Sequence, residues 1–199
     1  MHRAKRVLFV ACLVPTGLVV WRGLTGDLGA NPIEAVTHAT GDWTLRFLLL
    51  TLAISPLRRF TGWNRVIQVR RMLGLFAFYY ASLHFLTYVV LDHFFALSSI
   101  IEDVITRRYI TAGFTGFVLM IPLAVTSSRD MVRRLGGRRW RALHRLVYAS
   151  AVAGVVHYLW LVKVDARPPL IYAAVLIALF GLRVGRRGAA KVGGKIAEV

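Results

Sequence analysis

Residues 141–160 read RALHRLVYASAVAGVVHYLW, and this stretch decides the fold. It is long and apolar enough to cross a hydrocarbon core about 30 Å thick, which takes about 20 helical residues. It also carries two histidines, His144 and His157. An ionisable side chain inside a membrane is costly, so a histidine kept there points to a function.

The composition extends this interpretation to the whole chain. Of its 199 residues, 57% are hydrophobic, and the mean hydropathy is +0.59. An ordinary soluble domain is about 45–50% apolar, so the excess predicts an all-α integral membrane protein. Cys12 is the only cysteine and lies in an apolar run, which rules out a disulfide within one chain.

The charge is lopsided, with 26 Lys and Arg against 9 Asp and Glu. In a soluble protein such a balance would suggest nucleic-acid binding. Here the basic residues stand between apolar runs, as the positive-inside rule expects, so we predict no nucleic-acid partner. In a six-span topology, 19 basic residues fall on the side of the two termini and 5 on the opposite side. Both termini are therefore predicted to be cytoplasmic.

Six transmembrane helices form the predicted bundle, a single domain over residues 7–183. Residues 1–6 are a cytoplasmic tail, and residues 184–199 are a basic cytoplasmic tail. The first apolar run resembles a signal peptide, but no clear cleavage site follows it, so we predict an uncleaved helix. A short surface helix is expected over residues 33–40, capped by Asn31 before Pro32. The predicted spans cover residues 7–24, 42–57, 72–91, 109–126, 142–162 and 168–182.

Two histidines are predicted to lie at the same depth in the membrane. His84 is 13 residues beyond Arg71, which at 1.5 Å per residue is about 20 Å from the cytoplasmic edge. His157 is 12 residues beyond Arg145 and 16 beyond Arg141, hence roughly 18–24 Å from the same edge. Two imidazoles on facing helices can hold a haem iron between them. The alternative is a pair of hydrogen-bonded histidines that only packs the helices together.

Two further residues are candidates with open alternatives. Arg46 is predicted at a depth of about 18 Å, where it either pairs with haem propionates or extends its charge to the outer interface. His144 lies near the cytoplasmic edge, on a different face of a straight helix from His157. It is either a ligand of a second haem or a histidine at the lipid headgroups.

Several segments, in order, resemble one family of bacterial membrane proteins. These segments are 31–41 (NPIEAVTHATG), 70–75 (RRMLGL), 83–88 (LHFLTY), 105–111 (ITRRYIT), 140–144 (WRALH) and 157–160 (HYLW). They are similar to the MsrQ (formerly YedZ) family, the haem-binding membrane subunits of the periplasmic protein-methionine-sulfoxide reductase system. The resemblance covers residues 7–183.

The resemblance implies a ferric-reductase-like transmembrane fold in the bacterial inner membrane, with haem b and with FMN. It implies that His84, His157 and His144 are haem ligands. It also implies electron transfer from the quinone pool, or from a cytosolic flavin reductase, to a periplasmic molybdopterin-containing catalytic subunit (MsrP-like). Reduction of methionine sulfoxide would take place in that partner, so the chain itself is an electron-transfer subunit.

Two other functions stay open on the sequence. One is a stand-alone ferric or quinone reductase with the same fold, which needs no partner. The other is a transporter without a cofactor, in which the histidines relay protons.

Overall fold

The computed structural model describes the backbone of residues 2–196 and the side chains of residues 3–183. All regular secondary structure in this part of the chain is helical, with no strand. The elements are α1 (His2–Leu24), α2 (Pro32–Thr61), a 3₁₀-helix (Asn64–Gln68), α3 (Arg70–Leu86), a π-helical turn (Thr87–Asp92) that continues α3, α4 (Leu97–Thr106), α5 (Arg108–Val125), α6 (Arg129–Leu143), α7 (Leu146–Leu161) and α8 (Arg167–Ile196).

Three helices in the described part are long and apolar enough to cross a membrane. They are Arg3–Leu24, Arg70–Asp92 and Arg108–Val125. Helix α7 is apolar but shorter, at 16 residues. The prediction of an all-helical membrane protein is confirmed at this level. The prediction of six spans is supported for these three helices only.

Two helix pairs build the centre of the bundle: α2 packs along α3, and α5 packs along α7. The first pair buries Leu52 and Ala77 completely. The second pair can approach closely because Gly116 faces Ala153 and the backbone of α7, where any side chain would be in contact. Small residues at such crossings let two membrane helices pack at short distance.

Helices α1 and α8 lie against this centre and are tied to it by single polar side chains. The Tyr80 hydroxyl donates to the Cys12 carbonyl (2.8 Å) and accepts from the Thr16 backbone N–H (3.2 Å). Arg183 of α8 donates hydrogen bonds to the Tyr148 hydroxyl and the Leu52 carbonyl. Helix α8 also continues through Ile196, beyond the predicted end of the last span at residue 182.

The predicted break before the second span does not exist. Asn31 caps the helix as expected, since its side chain accepts from the Glu34 N–H (3.2 Å). The helix then runs without interruption through residues 33–40 and the predicted span to Thr61, where Gly62 ends it at φ 69°. Gly41 lowers helix propensity in the sequence, but tertiary packing against α3 overrides that weak preference.

The predicted fifth span is wrong at its start. A turn at His144 and Arg145 separates α6 from α7, so His144 is not on the same helix as His157. The face angle predicted for the two histidines on one straight helix therefore does not apply. The sequence also failed to predict α4 and α6 as helices, because α4 has only 10 residues and α6 is a charged segment that is kinked at Gly136 (φ 73°).

We expect Tyr80→Phe to destabilise the protein by about 1 kcal/mol, because the hydroxyl is the polar link between α1 and α3 and hydrogen bonds between membrane helices are worth about that much. Thermal unfolding in detergent measures the effect. Tyr79→Phe is the matched control, since its hydroxyl makes no hydrogen bond within the described residues. Equal melting temperatures for the two variants would contradict this account of how α1 is held.

A histidine pair inside the bundle

The bundle brings the rings of His84 (α3) and His157 (α7) close together. Their ring centroids lie 6.1 Å apart, and the ring planes meet at 76°. These are the two residues that the sequence placed at equal depth. Both line a cavity enclosed by α2, α3, α5 and α7.

Backbone carbonyls fix both rings. Nδ1 of His84 lies 2.9 Å from the Thr37 carbonyl oxygen, and Nδ1 of His157 lies 2.6 Å from the Tyr109 carbonyl oxygen. A carbonyl oxygen can only accept, so each Nδ1 carries the proton and donates it. Each Nε2 therefore keeps its lone pair. This is the arrangement by which proteins orient a histidine that binds a metal.

Two glycines make room for the rings. A Cβ at Gly113 would lie 2.7 Å from Nδ1 of His157, and a Cβ at Gly41 would lie 3.1 Å from Cε1 of His84. Contacts below 3.0 Å essentially never occur, so any side chain at Gly113 must displace the imidazole. The closest neighbour of this glycine is thus the His157 ring.

The cavity between the helices has a volume of about 300 Å³. Its walls are mostly apolar. Besides the two histidines, the residues that line it are Thr37, His38, Gly41, Asp42, Thr44, Leu45, Leu48, Ala81, Phe85, Tyr88, Asp92, Val104, Arg107, Tyr109, Ile110, Gly113, Phe114, Gly116, Phe117, Met120, Ser150, Gly154, Tyr158 and Leu161.

These residues fit a haem. A metal–imidazole bond is about 2 Å long and a ring nitrogen lies about 1 Å from the ring centre, so two ligands on opposite sides of one iron have centroids roughly 6 Å apart. The observed separation is 6.1 Å. In the part of the chain with described side chains, no cluster of three or more His, Cys, Asp or Glu could hold a bare metal ion. The pair therefore suits a metal that brings its other ligands with it.

His144 lies outside this cavity. Its Nε2 is 3.0 Å from the Thr126 hydroxyl, and its ring stacks on Trp140 with centroids 3.9 Å apart. The Thr126 hydroxyl donates to the Pro122 carbonyl, so Nε2 of His144 is the donor in the contact with Thr126. The structure does not bring His144 together with the other two histidines.

Arg46 does not line the cavity either. Its guanidinium pairs with Asp42 (3.5 Å), donates from Nε to the Tyr172 hydroxyl (3.2 Å), and lies over the Trp43 ring at 4.7 Å. Its side chain is 45% exposed. Within the described structure, its charge is therefore already paired.

One buried carboxylate near the cavity was not predicted as a site residue from the sequence. Asp103 of α4 is only 6% exposed. It pairs with Arg107 (3.0 Å) and His93 (3.3 Å) and accepts from the Tyr88 hydroxyl (3.2 Å). Arg107 lies in the segment ITRRYIT. Its contact with Asp103, and the contacts of Asp103 with Tyr88 and His93, could be recognised only once α4 was known to be a helix.

A sequence profile described as "Ferric reductase like transmembrane component" matches residues 40–155. The chain is 53% identical to a protein of Herminiimonas arsenicoxydans over 90% of its length and 84% of the relative's. It is 53% identical to one of Rhodospirillum rubrum, with 89% and 85% coverage, and 55% identical to one of Azospira oryzae, with 92% and 79% coverage. All three relatives bear the name "Protein-methionine-sulfoxide reductase heme-binding subunit MsrQ".

The chain belongs to the MsrQ family of ferric-reductase-like transmembrane proteins. The resemblance noted from the sequence segments is thus confirmed. The match to this first relative covers 90% of the chain. The family assignment also supports a multi-pass membrane protein. No solved structure matches the chain.

We expect Gly113→Ala to weaken cofactor binding at the histidine pair about 10–100-fold, the usual cost of disturbing the support of a metal ligand. The added methyl group would occupy the position of the His157 ring. The ratio of haem absorbance to polypeptide in purified protein measures the effect. Gly17→Ala is the control, because a Cβ there meets nothing within 4 Å. Equal haem content in the two variants would contradict the predicted role of Gly113.

Proposed function

We propose that this protein is a membrane-bound haem b subunit that passes electrons to a methionine-sulfoxide reductase on the periplasmic side of the bacterial inner membrane. The observation that carries the proposal is the pair His84 and His157, with centroids 6.1 Å apart and both Nδ1 atoms held by carbonyls. The relatives are named as haem-binding subunits, which supports the same cofactor.

The residues of the site favour electron transfer over oxygen chemistry. Bound haem supplies a carrier for one electron. His84 and His157 would be the residues that hold the iron of a bound haem, and ligation by two histidines would favour electron transfer over oxygen binding. The carbonyls of Thr37 and Tyr109 keep the Nδ1 protons in place and prevent the rings from turning. The apolar residues of the cavity wall would limit the access of water to the cofactor.

The proposed topology has six spans with both termini in the cytoplasm. The distribution of Lys and Arg, 19 against 5, supports this orientation. Helices α2, α7 and α8 would supply the three spans beyond the clearly apolar ones. The antiparallel pairs α2 with α3 and α5 with α7 are compatible with this order. The polar mouth of the cavity, where α4 meets α5, then faces the periplasm.

Electrons would enter from the quinone pool or a cytosolic flavin reductase and leave toward a periplasmic molybdopterin-containing catalytic subunit. In this scheme the membrane subunit carries out no substrate chemistry. Ligation of a second haem by His144 would require the release of its hydrogen bond to Thr126. FMN remains an implication of the family resemblance. Release of flavin from acid-denatured protein, measured by fluorescence, tests for it.

We predict that the purified protein has a Soret band and a sharp α-band when reduced, and that the purified periplasmic catalytic subunit with methionine sulfoxide speeds reoxidation of that haem. Stopped-flow absorbance measures the rate. A protein without haem bands would instead favour the proton-relaying transporter. If the partner does not speed reoxidation of the haem, the result would favour the stand-alone reductase.

Three histidine variants are the controls for this experiment. His84→Ala and His157→Ala are expected to lose the haem bands, because each removes one side of the iron site. His144→Ala is expected to keep them, because His144 lies outside the cavity. Full haem content in His84→Ala would overturn the ligand assignment.

A further inference from the structure

The cavity has a polar end and an apolar end. The charged and titratable residues along its wall, other than the histidine pair, come from the start of α2, the π-helical turn, the α4–α5 junction and the end of α7. These residues are His38, Asp42, Tyr88, Asp92, Arg107, Tyr109 and Tyr158. The other end is lined by residues such as Leu48 and Met120. Apart from the histidine pair, a flat molecule in this cavity therefore meets charged and titratable groups along one edge only.

Haem has the matching shape: an apolar ring with two propionate carboxylates on one edge. Burying carboxylates without a partner is costly, so the propionates should lie at the polar end. Arg107 is the only Lys or Arg that lines the cavity within the described residues. An arginine is well suited to a carboxylate because its planar fork donates two parallel hydrogen bonds.

Asp103 holds the guanidinium of Arg107 by one edge. Its Oδ1 lies 3.0 Å from Nε of Arg107. Asp103 is itself fixed, since the Tyr88 hydroxyl donates to it and Nε2 of His93 lies 3.3 Å away. The terminal nitrogens of Arg107 have only a long contact, 3.5 Å from Nη1 to the Tyr109 hydroxyl. They therefore remain available to a second carboxylate.

The two acids at the mouth are each beside a basic group. Asp42 pairs with Arg46 (3.5 Å), and Asp92 lies 3.9 Å from Nε2 of His93. The positive charge of Arg46 weakens the repulsion of a carboxylate by Asp42. The same pairing takes Arg46, the residue that the sequence offered as a propionate partner, away from the cavity.

We propose that Arg107, positioned by Asp103, binds the haem propionates and so sets the orientation of the haem in the cavity. This inference rests on the proposed function, because it requires haem at the histidine pair. Arg107 is also close in sequence to a residue that supports the histidine pair. It is two residues before Tyr109, whose carbonyl holds His157.

The test compares the haem reduction potential of Arg107→Gln with that of Arg108→Gln. Both variants remove one positive charge from adjacent positions, but Arg108 does not line the cavity. Ferric haem carries one more positive charge than ferrous haem, so loss of a cation at the propionates favours the ferric form. We expect Arg107→Gln to keep a low-spin spectrum while its potential falls by up to about 59 mV, a tenfold change in a one-electron equilibrium. Arg108→Gln should match the wild type.

Haem dimethyl ester separates contact with the propionates from a general effect of charge. Esterification removes both propionate charges and leaves the iron and ring unchanged. With this haem reconstituted into the apoprotein, wild type and Arg107→Gln are expected to have the same potential. Arg107→Lys keeps the charge without the fork, and with native haem it should give an intermediate potential.

Two results would overturn the inference: equal potentials for Arg107→Gln and Arg108→Gln with native haem, or a shift in Arg107→Gln that persists with the ester. In either case wild-type haem binding, and with it the proposed function, would stand. A wild-type protein that binds neither form of haem would instead refute the proposed function itself.

Discussion

Two hydrogen bonds from imidazole N–H groups to backbone carbonyls determine what this bundle can do. They connect α3 to α2 through His84 and Thr37, and α7 to α5 through His157 and Tyr109. Each bond fixes the tautomer of a histidine that lines the cavity. Because each carbonyl belongs to the helix that packs along the histidine's own helix, and α3 also contacts α5, the spacing of the two rings depends on all four helices.

The rest of the structure supports this arrangement of the two histidine rings. Gly41 and Gly113 leave space for the rings, and Gly116 lets α5 approach α7 closely. Around the cavity mouth, Asp103 gathers Arg107, His93 and the Tyr88 hydroxyl into one buried polar cluster. The bundle thus combines a mostly apolar cavity around the histidine pair with charged residues along one edge of it.

Much of the site could be predicted from the sequence, since helical rise alone placed His84 and His157 at the same depth. Arg46 and His144 show the limit of that reasoning. Depth could not reveal that Arg46 is paired with Asp42, nor that a turn separates His144 from α7. Asp103 and Arg107 were missed because α4 is short and was not predicted as a helix, so their pairing one helical turn apart was not expected. The contacts of Asp103 with Tyr88 and His93 depend on tertiary packing, which periodicity does not encode.

The central claim is that one iron is held between His84 and His157, with ring planes fixed by the two carbonyls. Electron paramagnetic resonance of the oxidised protein tests it most directly, because the signal of low-spin ferric haem depends on the angle between its axial imidazoles. Planes near 76° predict a strongly anisotropic low-spin signal. A high-spin signal, or the rhombic low-spin signal of parallel imidazoles, would contradict the account.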